Sequence, residues 1–406
     1  MYVFLFEVQF LLIFALETHK ITLEVQFMSV KSNSFKMNKE EFDKYLNELK
    51  KSNNTIQFFN GKYFYNPTLD SINLTIELNK KMFELDSIIN SFTDFAKNQI
   101  IQSFLIDEIE STNKIENIHS TRHDIFSIIS KASSSKDKKV ISISNAYKHL
   151  LESKGIVISS LFDIRKLYDI VLKDSIAKTD LPDGTYFRKN PVYISDGLKS
   201  IHTGIIGEDN INAAMEEFMN LYNSKNEVFI KMILCHFMFE NIHPFYDGNG
   251  RFGRFLFSNG LYLETKSFFS FIISSSLEHE KTKYYKTFKS ANDKYEFGCL
   301  NEYVEIISTI LLDQIELLIQ KLQYSKEIIN NLDAAMKLAK SEVKIYKVIC
   351  EASALSDFGV SNEEILNETG VSKRTLIYTL NKFKKEMKMI DTNIGKFSYH
   401  KFNINK

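Results

Sequence analysis

Tryptophan is absent from this 406-residue chain, and proline occurs only four times and cysteine three times. Cys235, Cys299 and Cys350 are scattered and odd in number. They lack metal-ligand spacing and form no disulfide framework, which implies reduced thiols in a cytoplasmic protein. Net charge is missing too: 51 Lys and Arg residues balance 51 Asp and Glu residues. No global field therefore draws the chain onto nucleic acid or an acidic membrane. A bilayer-spanning run is also lacking. Residues 1–16 are strongly apolar but include Glu7 and Gln9, have no preceding basic residue, and fall short of the ~20 residues a spanning helix needs. No convincing small-residue cleavage site follows, so a signal peptide or membrane anchor is not favoured. Met28 and Met37 are in-frame alternative starts, and residues 1–27 are read as a candidate upstream extension.

What is present is Leu, Ile, Phe and Tyr in quantities that fill a sizeable core, over a length that suggests two or three domains. Residues 21–27 alternate like a strand, 39–51 read as an amphipathic helix, and 53–67 as a turn or short hairpin. Leu69, Ile72, Ile76, Met82, Leu85 and Ile89 recur at helical spacing. Further helices are expected near 104–117, 144–152, 161–173, 211–222, 255–263 and 300–322, with an exposed loop at 133–139. Residues 192–194 and 201–206 flank an Asp196-Gly197 turn as a small hairpin. Beyond a polar linker at 323–340, the segment 341–406 reads as helix, helix-turn-helix and two-stranded wing. Ser361 and Ser372 are its expected caps. Residues 371–406 carry nine Lys and Arg residues against Glu386 and Asp391, a local basic bias in a neutral chain.

The densest chemistry lies at residues 243–254, His-Pro-Phe-Tyr-Asp-Gly-Asn-Gly-Arg-Phe-Gly-Arg. An apolar run, 228–239, precedes it. A buried helix that ends in a glycine-rich turn and opens a second helix suits an anion, because helix N-termini present N–H groups and a partial positive charge. Gly248 and Gly250 permit close approach of the backbone. Asp247 suits Mg²⁺ shared with phosphate oxygens. Asn249 can donate to phosphate, and Arg251 and Arg254 lie one turn apart for a polyphosphate. His243 could accept a hydroxyl proton. A zinc site at His236 and Glu240 is weakly supported, since the His-Glu-x-x-His pattern is absent.

This stretch resembles the Fic family signature, His-x-Phe-x-(Asp/Glu)-Gly-Asn-Gly-Arg-x-x-Arg, at every specified position. The resemblance extends over about residues 58–322. It implies a mainly α fold: a Fic-type helical core with a small β-hairpin flap, here with a C-terminal winged helix-turn-helix domain. The implied activity is transfer of AMP from ATP to a Ser, Thr or Tyr hydroxyl of a target protein or of the chain itself, releasing pyrophosphate. By this resemblance His243 is the general base and Phe245 anchors the loop. Asp247 holds Mg²⁺; Gly248, Asn249, Gly250 and Arg251 hold phosphates; and Arg254 holds the γ-phosphate. Tyr284 and Tyr285 resemble adenine-pocket residues, and the hairpin at 192–203 a flap that aligns the target by strand addition.

Thr112-x-x-x-Glu116-Asn117 resembles the family's inhibitory motif, whose glutamate pairs with the last arginine and excludes the γ-phosphate. Removal of AMP through the same site is the alternative activity. Phosphate transfer, as in Doc toxins, is disfavoured because Gly250 stands where those proteins have lysine. In a different class, the chain is a DNA-binding regulator acting through residues 341–406, which could equally contact protein. Expected regions are an N-terminal extension at 1–40, a helical region with the inhibitory helix at 41–135, the Fic core at 136–322, a linker at 323–340 and the winged domain at 341–406. Homodimerisation and a cytoplasmic location complete these expectations.

Overall fold

The computed structural model describes residues 30, 34, 36–130, 138–195, 200–332, 338–387 and 389–403. The expected strand at 21–27, most of the loop at 133–139, and Lys388 and Lys406 lie outside the described residues. The fold is mainly helical, with fifteen α-helices and three small antiparallel sheets among the described residues. Two compact units make up the chain: the described part of Met1–Asn73 with Lys286–Ile306, and Leu74–Tyr285 with Ile307–Lys406.

In the first unit, α1 (Lys39–Lys51) starts from a capping box in which Asn38 and Glu41 satisfy each other's backbone N–H. The expected hairpin is β1 (Ile56–Phe58) paired with β2 (Tyr63–Tyr65). All three β2 side chains are buried, and Phe42 meets Phe297 edge-on at 4.7 Å.

Helix α2 (Leu69–Asn90) keeps the expected period but shifts its buried stripe. Leu78, Met82, Leu85 and Ile89 are buried, whereas Leu69 and Ile76 are exposed. At about 100° per residue, Ile76 and Leu78 point about 200° apart and cannot share a face. Then follow α3 (Asp94–Ile115), α4 (Arg122–Ile129), α5 (Lys138–Ser153) and α6 (Leu161–Leu172). The small hairpin is β3 (Tyr193–Ser195) with β4 (Ser200–Thr203), in the register Tyr193↔Thr203 and Ile194↔His202. Its expected Asp196-Gly197 turn lies outside the described residues.

Next come α7 (Glu208–Tyr222), α8 (Val228–Ile242) and α9 (Asn249–Thr265). Helix α8 has no polar face, so it must be enclosed on all sides. Between Phe229 and Ile242 only Glu240 is not fully buried, and α8 packs against both α7 and α9. After α10 (Ile273–His279) and α11 (Lys281–Ala291), α12 (Asn301–Leu332) outruns its expected end at 322 and makes the first part of the expected linker helical.

The C-terminal segment consists of α13 (Lys340–Leu355), β5 (Val360–Ser361), α14 (Asn362–Thr369), α15 (Lys373–Glu386), β6 (Met389–Ile394) and β7 (Phe397–Phe402). Ser361 and Ser372 cap α14 and α15 as expected. Strand β5 was not expected, since two residues cannot show a period. It completes a sheet of order β5-β7-β6. This segment packs on the helix that carries Thr112. Helix α13 lies against α3, Phe126 stacks on Phe358 at 4.2 Å, and Arg122 bridges Asp107 and Glu110 of α3 to Asp357. Among the described residues no helix is long and apolar enough to cross a membrane.

Candidate active site

Helix α8 ends at His243, which adopts a left-handed conformation (φ 51°, ψ 61°) while its N–H bonds to Phe239 O. A non-glycine residue there is held by its surroundings. His243 Nδ1 lies 3.3 Å from Glu240 O. With the hydrogen on Nδ1, Nε2 is the basic nitrogen of the ring.

The turn from His243 to Asn249 is rigid for several separate reasons. The Phe245 ring is buried and stacks on Tyr168 at 3.6 Å, with Phe252 and Phe187 edge-on to it. Tyr168 also donates to Asp247 O. The Asn249 amide is committed at both ends, accepting from Phe245 N–H (2.9 Å) and donating to Phe245 O (2.8 Å). Asn249 therefore closes the turn with its side chain, using one of its two amide N–H donors. Gly248 is left-handed (φ 79°), and a Cβ there would lie 2.6 Å from Leu172 Cδ1. Helix α9 begins without a side-chain cap, leaving its first N–H groups for an anion.

Both arginines are buried in the second unit. Arg251 donates to Ser175 Oγ (3.2 Å) and stands 3.8 Å from Asp247 Oδ2, while its Nε is buried without a partner among the described residues. Arg254 donates from Nε to Thr112 Oγ1 and from Nη2 to Thr112 O, each at 3.0 Å, and from Nη2 to Glu116 Oε1 at 2.8 Å. Burial works against its charge, but Glu116 leads the groups that hold its pKa above the ordinary arginine value. Glu116 is the C-cap of α3, and Asn117 follows with φ 56°, the left-handed position at which a helix commonly stops. The Glu116 carboxylate also lies where a Gly250 side chain would be: a Cβ there would collide with Oε1.

Asp247 is 51% exposed, and its Oδ1 accepts from Gly248 N–H at 2.6 Å. One carboxylate facing solvent beside an uncapped helix N-terminus suits Mg²⁺ shared with an anion better than an all-protein cage. Among the described residues no group of three or more His, Cys, Asp or Glu could hold a metal ion.

Residues 159–261 match the model of the Fic/DOC family. This chain carries a Fic/DOC family domain. Family members generally transfer a nucleoside monophosphate to proteins. Among solved structures, the chain resembles a Fic family protein from Desulfovibrio desulfuricans G20, with a TM-score of 0.51 and 17% identity over 84% of this chain and 98% of that one. This likeness places the helical fold. It also resembles a Fic domain containing signaling protein from Bacteroides thetaiotaomicron VPI-5482 (TM-score 0.46, 15% identity, 61% and 98% covered). A third similar structure is Fic-1, residues 134–508, from C. elegans (TM-score 0.44, 16% identity, 63% and 74% covered).

Around this Fic domain the two tyrosines diverge. Tyr284 is buried with its hydroxyl 2.8 Å from His236 Nε2, whereas Tyr285 is nearly half exposed and donates to Ile115 O at 3.3 Å. Burial raises the Tyr285 pKa to about 12. His236 is thereby occupied beside Tyr284, and burial, followed by the Arg254 charge, lowers its pKa to about 3. Burial pushes the Glu240 carboxyl up to about 7, with Arg254 opposing and Glu116 adding to the rise; its Oε1 has no partner among the described residues. Sequence reasoning missed Tyr168, Ser175 and Arg188. Each comes from a segment with no motif, and only the fold brings it to the turn.

Proposed function

We propose that this protein is an adenylyltransferase restrained by Glu116. The observation that carries the reading is the Glu116 carboxylate on Arg254, lying over Gly250, at a turn whose following helix starts without a side-chain cap. Once Glu116 withdraws, Arg254 is free for the γ-phosphate of ATP, with Arg251 and the α9 N-terminus at the inner phosphates. Asp247 would hold Mg²⁺ together with the phosphates, where the ion neutralises their charge. A Ser, Thr or Tyr hydroxyl oxygen of the target attacks the α-phosphorus, and His243 Nε2 takes its proton. The bond from the α-phosphorus to the bridging oxygen breaks, and pyrophosphate leaves. Removal of AMP from a modified protein would use the same groups with water as the nucleophile. Incubation with labelled ATP and Mg²⁺ tests the reading: Glu116→Gly should label itself faster than wild type, and adding His243→Ala should abolish the label. Equal labelling by all three proteins overturns it.

The C-terminal segment supports a second reading. Its element order and β5-β7-β6 sheet suit a winged helix, and α15 exposes Lys373, Arg374, Ile377 and Tyr378. We assign this face to duplex DNA. Binding of the full chain to a DNA duplex should weaken steeply with salt, and no binding at low salt would leave the segment as a protein-contact module.

A further inference from the structure

Arg188 belongs to no motif, yet it is completely buried. Its guanidinium donates to four main-chain carbonyls: Nε to His243 O (2.8 Å), Nη1 to Asn190 O (2.7 Å), and Nη2 to Ile205 O (2.8 Å) and Ile242 O (3.4 Å). No carboxylate among the described residues lies in ion-pair contact with it. Burying a cation without a counter-ion is costly, so its value lies in what it holds.

Ile242 O and His243 O are last-turn carbonyls of α8, which no intrahelical donor can reach, at the negative end of the helix. Asn190 and Ile205 are the two feet of the β3–β4 hairpin. Two backbone bonds reinforce the junction, Arg188 N–H to Pro244 O and Ile205 N–H to Ile242 O, each at 3.1 Å. We propose that Arg188 is a positioning residue whose planar fork fastens both feet of the flap to the backbone of His243, fixing the target segment relative to the base. The proposal rests on the transferase reading. A lysine cannot reproduce it, because an ammonium is a point charge with three donors and lacks the rigid fork.

Two variants in a Glu116→Gly parent test the idea from opposite ends. Arg188→Lys removes the fork and keeps the charge. Gly204→Ala keeps the arginine but places a Cβ 2.5 Å from Arg188 Nη2 and 3.0 Å from His243 Cβ. Misplacement on the order of 1 Å can slow a reaction about a hundredfold. The self-labelling rate at saturating ATP should therefore fall by at least about tenfold in both variants. ATP affinity should stay within about twofold, and hydrogen exchange at the Ile205 amide should accelerate. Undiminished labelling in both variants overturns the proposal, as does a joint loss of labelling, ATP binding and cooperative melting in both. A Glu116→Gly parent that never labels sinks the transferase reading instead. The Arg188 proposal then stands or falls on whether Ile205 exchange quickens.

Discussion

Glu116→Gly removes the one carboxylate in ion-pair contact with Arg254 among the described residues, while Thr112 still accepts two of that arginine's hydrogen bonds. A hydrogen bond to a charged group contributes about 1.5–3 kcal/mol. Arg254 is fully buried, but the Glu116 side chain is 34% exposed, which places the contact near the lower end, about 1.5–2 kcal/mol. ATP must displace that contact to reach Arg254, so the variant should bind a non-hydrolysable ATP analogue with Mg²⁺ about 10- to 30-fold more tightly than wild type. Calorimetric titration in a His243→Ala background, where no turnover occurs, measures this directly. Glu116→Gln keeps the shape and loses the charge, and should fall between the two. Equal dissociation constants for all three would refute the competition between Glu116 and the nucleotide, whatever their labelling rates.

Other expectations concern the frame of the site. Gly248→Ala should destabilise the protein by about 1–3 kcal/mol in a denaturant melt, because it combines a left-handed φ with a clash against Leu172. Arg122→Ala cuts the link from α3 to Asp357. It should raise wild-type self-labelling several-fold, about 1 kcal/mol of restraint, and leave the Glu116→Gly rate unchanged. Stability should vary with pH through the buried His236 ring and through the Glu240 carboxyl, whose Oε1 is buried. Glu240, raised from 4.5 to about 7, contributes stability that is complete below pH 4.5 and lost as pH rises through 7. His236, lowered from 6.5 to about 3, contributes stability present above pH 6.5 and lost as pH falls toward 3. Melting temperatures across pH 4–8 should therefore flatten on the alkaline side in Glu240→Gln and on the acid side in His236→Gln.

The sequence by itself determined the parts of this protein whose physics is local. The largely apolar α8, the glycine turn and the helix that opens after it follow from residues 228–254 read in order, because helix periods, left-handed glycines and N-terminal dipoles need no distant partner. The serine caps of α14 and α15 are equally local. Even Glu116 could be placed near a helix end, because the helix read at 104–117 stops one residue beyond it. Tertiary structure alone decided what those parts touch. The carboxylate of Glu116 meets Arg254 because two helices far apart in sequence pack together. Asn249 spends its amide on Phe245, and Leu69 and Ile76 fall outside the buried stripe, because packing chooses among faces that periodicity leaves equal. Arg188 carries no periodic or motif signal at all. Its role exists only because the fold brings four carbonyls from three separate stretches of chain around one guanidinium.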